Sequence, residues 1–124
     1  MATRSFIGIE NEDDVIEAVY CHWDGYLEHN GVILFNHYNT RGKVSLLINQ
    51  GSLSILAEKL KLCKFYSEMG EQIETHKYTN RQSYVDDCLD GVDFIYLFTK
   101  ENKWIFWNKR GKYSDLQTAL EDIS

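Results

Sequence analysis

The stretch Tyr20-Cys21-His22-Trp23-Asp24-Gly25-Tyr26 sets a thiol, an imidazole, an indole, a carboxylate and two phenols within seven positions. Three kinds of chemistry draw on such residues. A nucleophilic centre would use Cys21 with His22 as its base, but neighbours on a strand project to opposite faces and cannot meet. A zinc site would gather Cys21, His22, Asp24, His29 and His37, which lack the paired spacings that bring ligands together on one ion. The third use is a ligand wall. There the indole of Trp23 stacks on a flat ring, with Tyr26 beside it, whereas the plainer role for Trp23 is a core side chain held by its area. No catalytic residue and no metal ligand is assigned from this stretch.

A second set of residues carries positive charge. Asn108-Lys109-Arg110-Gly111-Lys112 is the densest basic run in the chain, and Arg41-Gly42-Lys43 is a thinner one at an expected helix start. A guanidinium grips phosphate with two parallel hydrogen bonds, and free amides at a helix start attract anions. The plain alternative is a solvated strand end. Asp13-Asp14 and Asp86-Asp87 read as solvent-facing pairs. The chain has no GxSxG, HExxH, Walker or GxGxxG pattern. Trp23, Tyr26, Arg41, Asn108, Lys109 and Arg110 are therefore the candidate ligand-binding residues.

The formal net charge of −6 argues against a partner as large as a nucleic acid, since displacing condensed counterions needs an excess of lysine and arginine. With 44% hydrophobic and 14% aromatic residues the 124-residue chain can bury a core, and its length fits one domain, residues 1–124. No apolar run is long enough to span a membrane, and the start lacks a signal-peptide core, which points to the cytosol. Three widely spaced cysteines form neither a disulfide framework nor a zinc knuckle.

The elements that must position these residues begin with two strands, Ser5–Ile9 and Val15–Trp23, around the acidic turn 10–14. On the second strand Val15, Val19, Cys21 and Trp23 share one face, and Ile16, Ala18, Tyr20 and His22 the other. Asp24-Gly25 breaks that strand, and Asp24 is expected to cap a helix carrying Leu27, Gly31, Leu34, Phe35 and Tyr38. Further helices are expected over Lys43–Asn49, from a Ser52 cap through Leu53, Leu56, Ala57 and Leu60, and over Arg81–Leu89. Residues 73–78 suit a short edge strand. Asp93–Thr99 and Lys103–Asn108 make the plainest hairpin, both strands central. Ser114-Asp115-Leu116-Gln117 has capping-box spacing ahead of a last helix with Leu116, Leu120 and Ile123 on one stripe. The fold class is α+β, an antiparallel sheet of four or five strands with helices packed mainly on one face.

The opening "MATRSFIGIENED" and the following "VYCHWDGYLEHNGVILFNHY" resemble small phage-encoded proteins with an R-S-x-I-x-x-E-x-x-D start and a YCHWDGY corner, the Thoeris anti-defence protein one family. The resemblance is specific over residues 4–38 and loose beyond them. It implies a homo-oligomeric sponge in the host cytoplasm, and the two-strand arms with the aromatic content point to a dimer or a higher even-numbered assembly. Such a sponge binds cyclic ADP-ribose isomers made by TIR-domain immune enzymes and withholds them without cleavage, needing no cofactor. For some members it implies cyclic oligonucleotides at separate sites as well. A purine, two riboses and a pyrophosphate call for an aromatic wall, a cationic clamp and amide partners, roles open to Trp23, to Arg110 with Lys109, and to Asn108. Two other functions compete: a phosphodiesterase or glycohydrolase degrading a nucleotide signal, and an acidic protein-protein inhibitor.

Overall fold

The computed structural model describes residues 2–123. Eight strands form one mixed sheet: β1 (Ser5–Glu10), β2 (Ile16–Cys21), β3 (Leu53–Ile55), β4 (Lys64–Phe65), β5 (His76–Tyr78), β6 (Phe94–Phe98), β7 (Trp104–Asn108) and β8 (Tyr113–Asp115). The helices are α1 (Val32–His37), α2 (Arg41–Asn49), α3 (Arg81–Cys88) and α4 (Leu116–Ile123). Strand order is β4-β3-β2-β1-β6-β7-β8, and β5 shares the outer edge of β2 with β3.

The α+β class holds, but the sheet is neither purely antiparallel nor limited to five strands. The two expected hairpins form, β1 with β2 and β6 with β7. They join through β1 and β6, which run parallel with Ser5 opposite Phe94 and Ile9 opposite Phe98. A parallel pair needs a long crossover, and residues 11–93 supply it. The additional strands β3, β4 and β8 hold two or three residues each, too few to show an alternating pattern.

Both faces of the sheet are covered. Ile7, Ile9, Val19, Cys21, Tyr96, Phe98, Trp104 and Phe106 face α1, α2 and α4. Ile16, Ala18, Ile95, Leu97 and Ile105 face α3 through Tyr84, Val85 and Cys88. The expected division of β2 between Val19 and Cys21 on one side and Ile16 and Ala18 on the other is the observed one. Gly8 lets α3 sit close, because a β-carbon there would lie 3.0 Å from the Tyr84 hydroxyl, which donates to the Tyr96 carbonyl at 2.9 Å.

Two expected helix caps do other work, and the one expected at Ser114 falls on its neighbour. Asp24 has φ 57, and its backbone carbonyl, not its side chain, accepts from the Asn30 amide at 3.2 Å. The hydroxyl of Ser52 accepts from the Tyr20 amide at 3.2 Å and the Ser52 carbonyl accepts from Tyr66, so residues 52–55 extend along β2 and the expected helix there is absent. At α4 the cap is Asp115, whose Oδ2 accepts from the Thr118 amide at 3.1 Å. Leu53 and Leu56 are buried, so their helix-like spacing reflects burial of an extended segment.

Candidate ligand-binding site

After Cys21 the chain keeps pairing, His22 and Trp23 donating to the carbonyls of Leu53 and Ser54. It then turns at Asp24, in the left-handed region that aspartate tolerates better than most residues. Gly25 closes the corner against β1: its amide donates to the Thr3 carbonyl at 2.8 Å, and its carbonyl accepts from the Tyr96 hydroxyl at 2.7 Å. A β-carbon at Gly25 would lie 2.8 Å from both the Thr3 carbonyl oxygen and the Ser5 β-carbon, so only glycine fits without moving the backbone.

The polar atoms of this corner are spent on structure. Asn30 is fully buried; its Nδ2 donates to Ser5 Oγ and Cys21 Sγ, both at 3.4 Å, and its Oδ1 meets His29 Nδ1 at 2.9 Å. Cys21 has no exposed surface, and burial pushes its thiol up to about 11. It is a protonated packing group at neutral pH. His22 bonds the Tyr20 hydroxyl through Nδ1 at 2.8 Å.

Beside the corner lies a cavity of about 510 Å³, lined by Ala2 and Thr3 before β1, Tyr26, Asp93 and Phe94 at the start of β6, and Asn108, Lys109 and Arg110 at the end of β7. Four of the six expected residues, Tyr26, Asn108, Lys109 and Arg110, are thus brought together. The hairpin explains the rest of the lining: Phe94 pairs with Asn108, so whatever follows Asn108 must sit beside what precedes Phe94.

Asn108 builds the basic turn. Its Oδ1 accepts from the amides of Arg110 and Lys112, both at 3.0 Å, and its carbonyl accepts from Gly111, which has φ 75. Lys109 Nζ lies 3.4 Å from Asp93 Oδ1, and Asp93 Oδ2 accepts from the Arg4 amide at 3.3 Å. The Arg110 guanidinium has no partner among the described residues. Asp93, Lys109 and Arg110 together leave one positive charge at a cavity in an otherwise acidic chain. Tyr26 is 38% exposed, and the Asp24 carboxylate, aided by desolvation, holds its phenol above the ordinary value, so it remains a hydroxyl donor at neutral pH.

The other two expected residues lie elsewhere. Trp23 is 43% exposed, so it is not a core side chain, and its ring stands edge-on to His22 at 4.7 Å, apart from the cavity lining. Aromatic surface in the cavity comes from Tyr26 and Phe94. Arg41 donates Nη1 to the Glu10 carbonyl at 3.0 Å, Nη2 to the Thr99 carbonyl at 2.8 Å and Nε to Asn102 Oδ1 at 3.1 Å, with its guanidinium carbon 5.5 Å from the centre of the Phe98 ring. It ties the end of β1 to the β6–β7 turn and has little left to offer a phosphate.

Sequence reasoning missed Thr3, Asp93 and Phe94. The turn at 100–102 was the signal for the last two, since it sets Phe94 opposite Asn108. For Thr3 there was no signal, because its approach depends on the Gly25 contact. Among the described residues, no group of three or more histidine, cysteine, aspartate or glutamate side chains is arranged to hold a metal ion, and no helix is long and apolar enough to cross a membrane. Comparison with protein-family models, with curated proteins and with solved structures finds no match to this chain.

Proposed function

We propose that the chain is a binding protein which captures a small phosphorylated nucleoside ligand, of the cyclic ADP-ribose type, in the cavity beside the Gly25 corner and withholds it unchanged. The carrying observation is the joining, around about 510 Å³, of two aromatic rings, Tyr26 and Phe94, with an unpaired guanidinium, Arg110. That volume lies in the range of small-molecule pockets. A base can stack on an exposed ring, the Tyr26 hydroxyl suits a ribose oxygen, and Arg110 suits one phosphate with Lys109 as a second cation. Sequestration is favoured over turnover by the groups lining the cavity: it holds no histidine and no cysteine, and its one carboxylate, Asp93, is engaged by Lys109 and the Arg4 amide.

Calorimetric titration with cyclic ADP-ribose isomers, followed by heat denaturation and recovery of the ligand, tests this. Tight binding with intact ligand recovered is the expected result. A degraded product would replace the sponge with an enzyme, and absence of binding by every isomer would favour a protein-protein inhibitor.

A further inference from the structure

A second cavity of about 500 Å³ opens on the same face of the sheet at the other end of the β6–β7 hairpin. The first cavity sits at the Phe94–Asn108 pair and this one at the Phe98–Trp104 pair, four residues along β6, or about 13 Å at the rise of a strand. We infer that it is a separate binding site for an uncharged, hydroxyl-bearing ring, a free sugar or the sugar of a nucleoside. This inference is independent of the function proposed for the corner cavity.

Its floor is rigid and aromatic. Trp104 and Phe98 are almost wholly buried and meet edge to face at 5.2 Å. The Trp104 indole N–H is fixed on the Tyr38 carbonyl at 2.9 Å. Little of these two rings is exposed, and the half-buried Phe35 adds to the apolar wall.

The rim is made of carboxamides: Asn36, Asn39, Asn102 and Gln117. Their internal bonds leave a mixed set of free groups. Asn39 Nδ2 donates to the Asn36 carbonyl, leaving Oδ1; Gln117 Nε2 donates to Glu121, leaving Oε1. Asn102 Oδ1 is taken by Arg41, leaving Nδ2, and the Asn36 side chain has no partner among the described residues. Hydroxyls both donate and accept, so they match such a rim, whereas a phosphate needs donors alone. Charge agrees: Lys103 and Asp115, the two ionic groups in the lining, cancel.

Saturation-transfer and nitrogen-15 NMR on the full chain, with one panel of neutral monosaccharides and one of neutral nucleosides at millimolar concentration, tests the inference. Binding from at least one panel is expected, with shifts at the side-chain amides of Asn36 and Asn102 and at the Trp104 indole N–H. Asn36→Ala and Gln117→Ala, both at exposed positions, should each weaken it about three- to tenfold, the loss of one hydrogen bond. Arg110→Ala should leave it unchanged. Response to sugars alone or to nucleosides alone identifies the source. Silence from both panels, shifts confined to Tyr26 and Phe94, or unaltered affinity in the Asn36→Ala, Gln117→Ala double variant would overturn it.

Discussion

Arg110 and Lys109 are neighbours with different prospects. Lys109 is 78% exposed and already faces Asp93, an ion pair of a kind that contributes about 1 kcal/mol or less, while Arg110 is unpaired at the cavity and can make two parallel bonds to a phosphate. Arg110→Ala is therefore expected to weaken binding of a cyclic ADP-ribose ligand by about 2–5 kcal/mol, and Lys109→Ala or Lys112→Ala by far less. Calorimetry on the three variants checks this ranking, and equal losses would mean that only general positive charge matters. The aromatic positions separate in the same way. Tyr26→Ala should cost about 1–3 kcal/mol of binding through lost stacking. Trp23→Ala, outside the cavity lining, should leave affinity unchanged. A binding defect in Trp23→Ala would return the site to the indole.

Two elements anchor the ends of β1, the corner after β2 and the knot between Glu10 and α3. At the corner, Gly25→Ala sets a β-carbon against the Thr3 carbonyl and Ser5, so β1 and the corner must part. Overpacking of this kind costs about 1–3 kcal/mol. Melting temperature and ligand affinity should fall together, because Thr3 and Tyr26 line the same cavity. In the knot, the buried Glu10 carboxylate receives Arg81 Nε at 2.8 Å and Nη2 at 2.7 Å, and the Lys100 amide at 3.1 Å. Burial by itself raises the Glu10 pKa. The Arg81 and Lys100 bonds outweigh it and hold the carboxyl below its ordinary value of 4.5. Its contribution to stability is thus complete above the unfolded value and drains away as pH falls through the lower, folded one. Thermal melts from pH 7 to pH 2 should show that loss, and Arg81→Ala should flatten it while lowering stability by about 2–3 kcal/mol. The cost falls short of that for a wholly buried pair because Arg81 is 37% exposed. A parallel pH profile in Arg81→Ala would remove the pair from the account.

At the scale of the whole molecule, several large apolar side chains are left uncovered. Trp23, Ile55, Leu62, Met69 and Ile73 are each at least 39% exposed, and all come from the segment that follows β2. Burying such side chains between copies is a common route to symmetric assembly. We expect a dimer or a higher even-numbered oligomer. Light scattering at micromolar concentration checks it, and a clean 14.5 kDa particle would rule it out.

Local pattern determined the parts of this fold whose partners are near in sequence. The two hairpins, the face assignment along β2, α3 and the basic turn after Asn108 were all legible, because a short turn dictates register and alternation dictates faces. The same reasoning assembled Asn108, Lys109 and Arg110 but not what they face. Only tertiary structure decided that β1 lies parallel to β6, which brings Thr3 and the Gly25 corner beside Phe94 and so closes the cavity. Tertiary structure also gave Arg41 to backbone carbonyls 31 and 58 residues away, and the hydroxyl of Ser52 to β2. In each case the competing partner was distant in the chain. A polar group's choice between a local cap and a remote carbonyl depends on which one burial leaves without water, and spacing along the sequence carries no record of that.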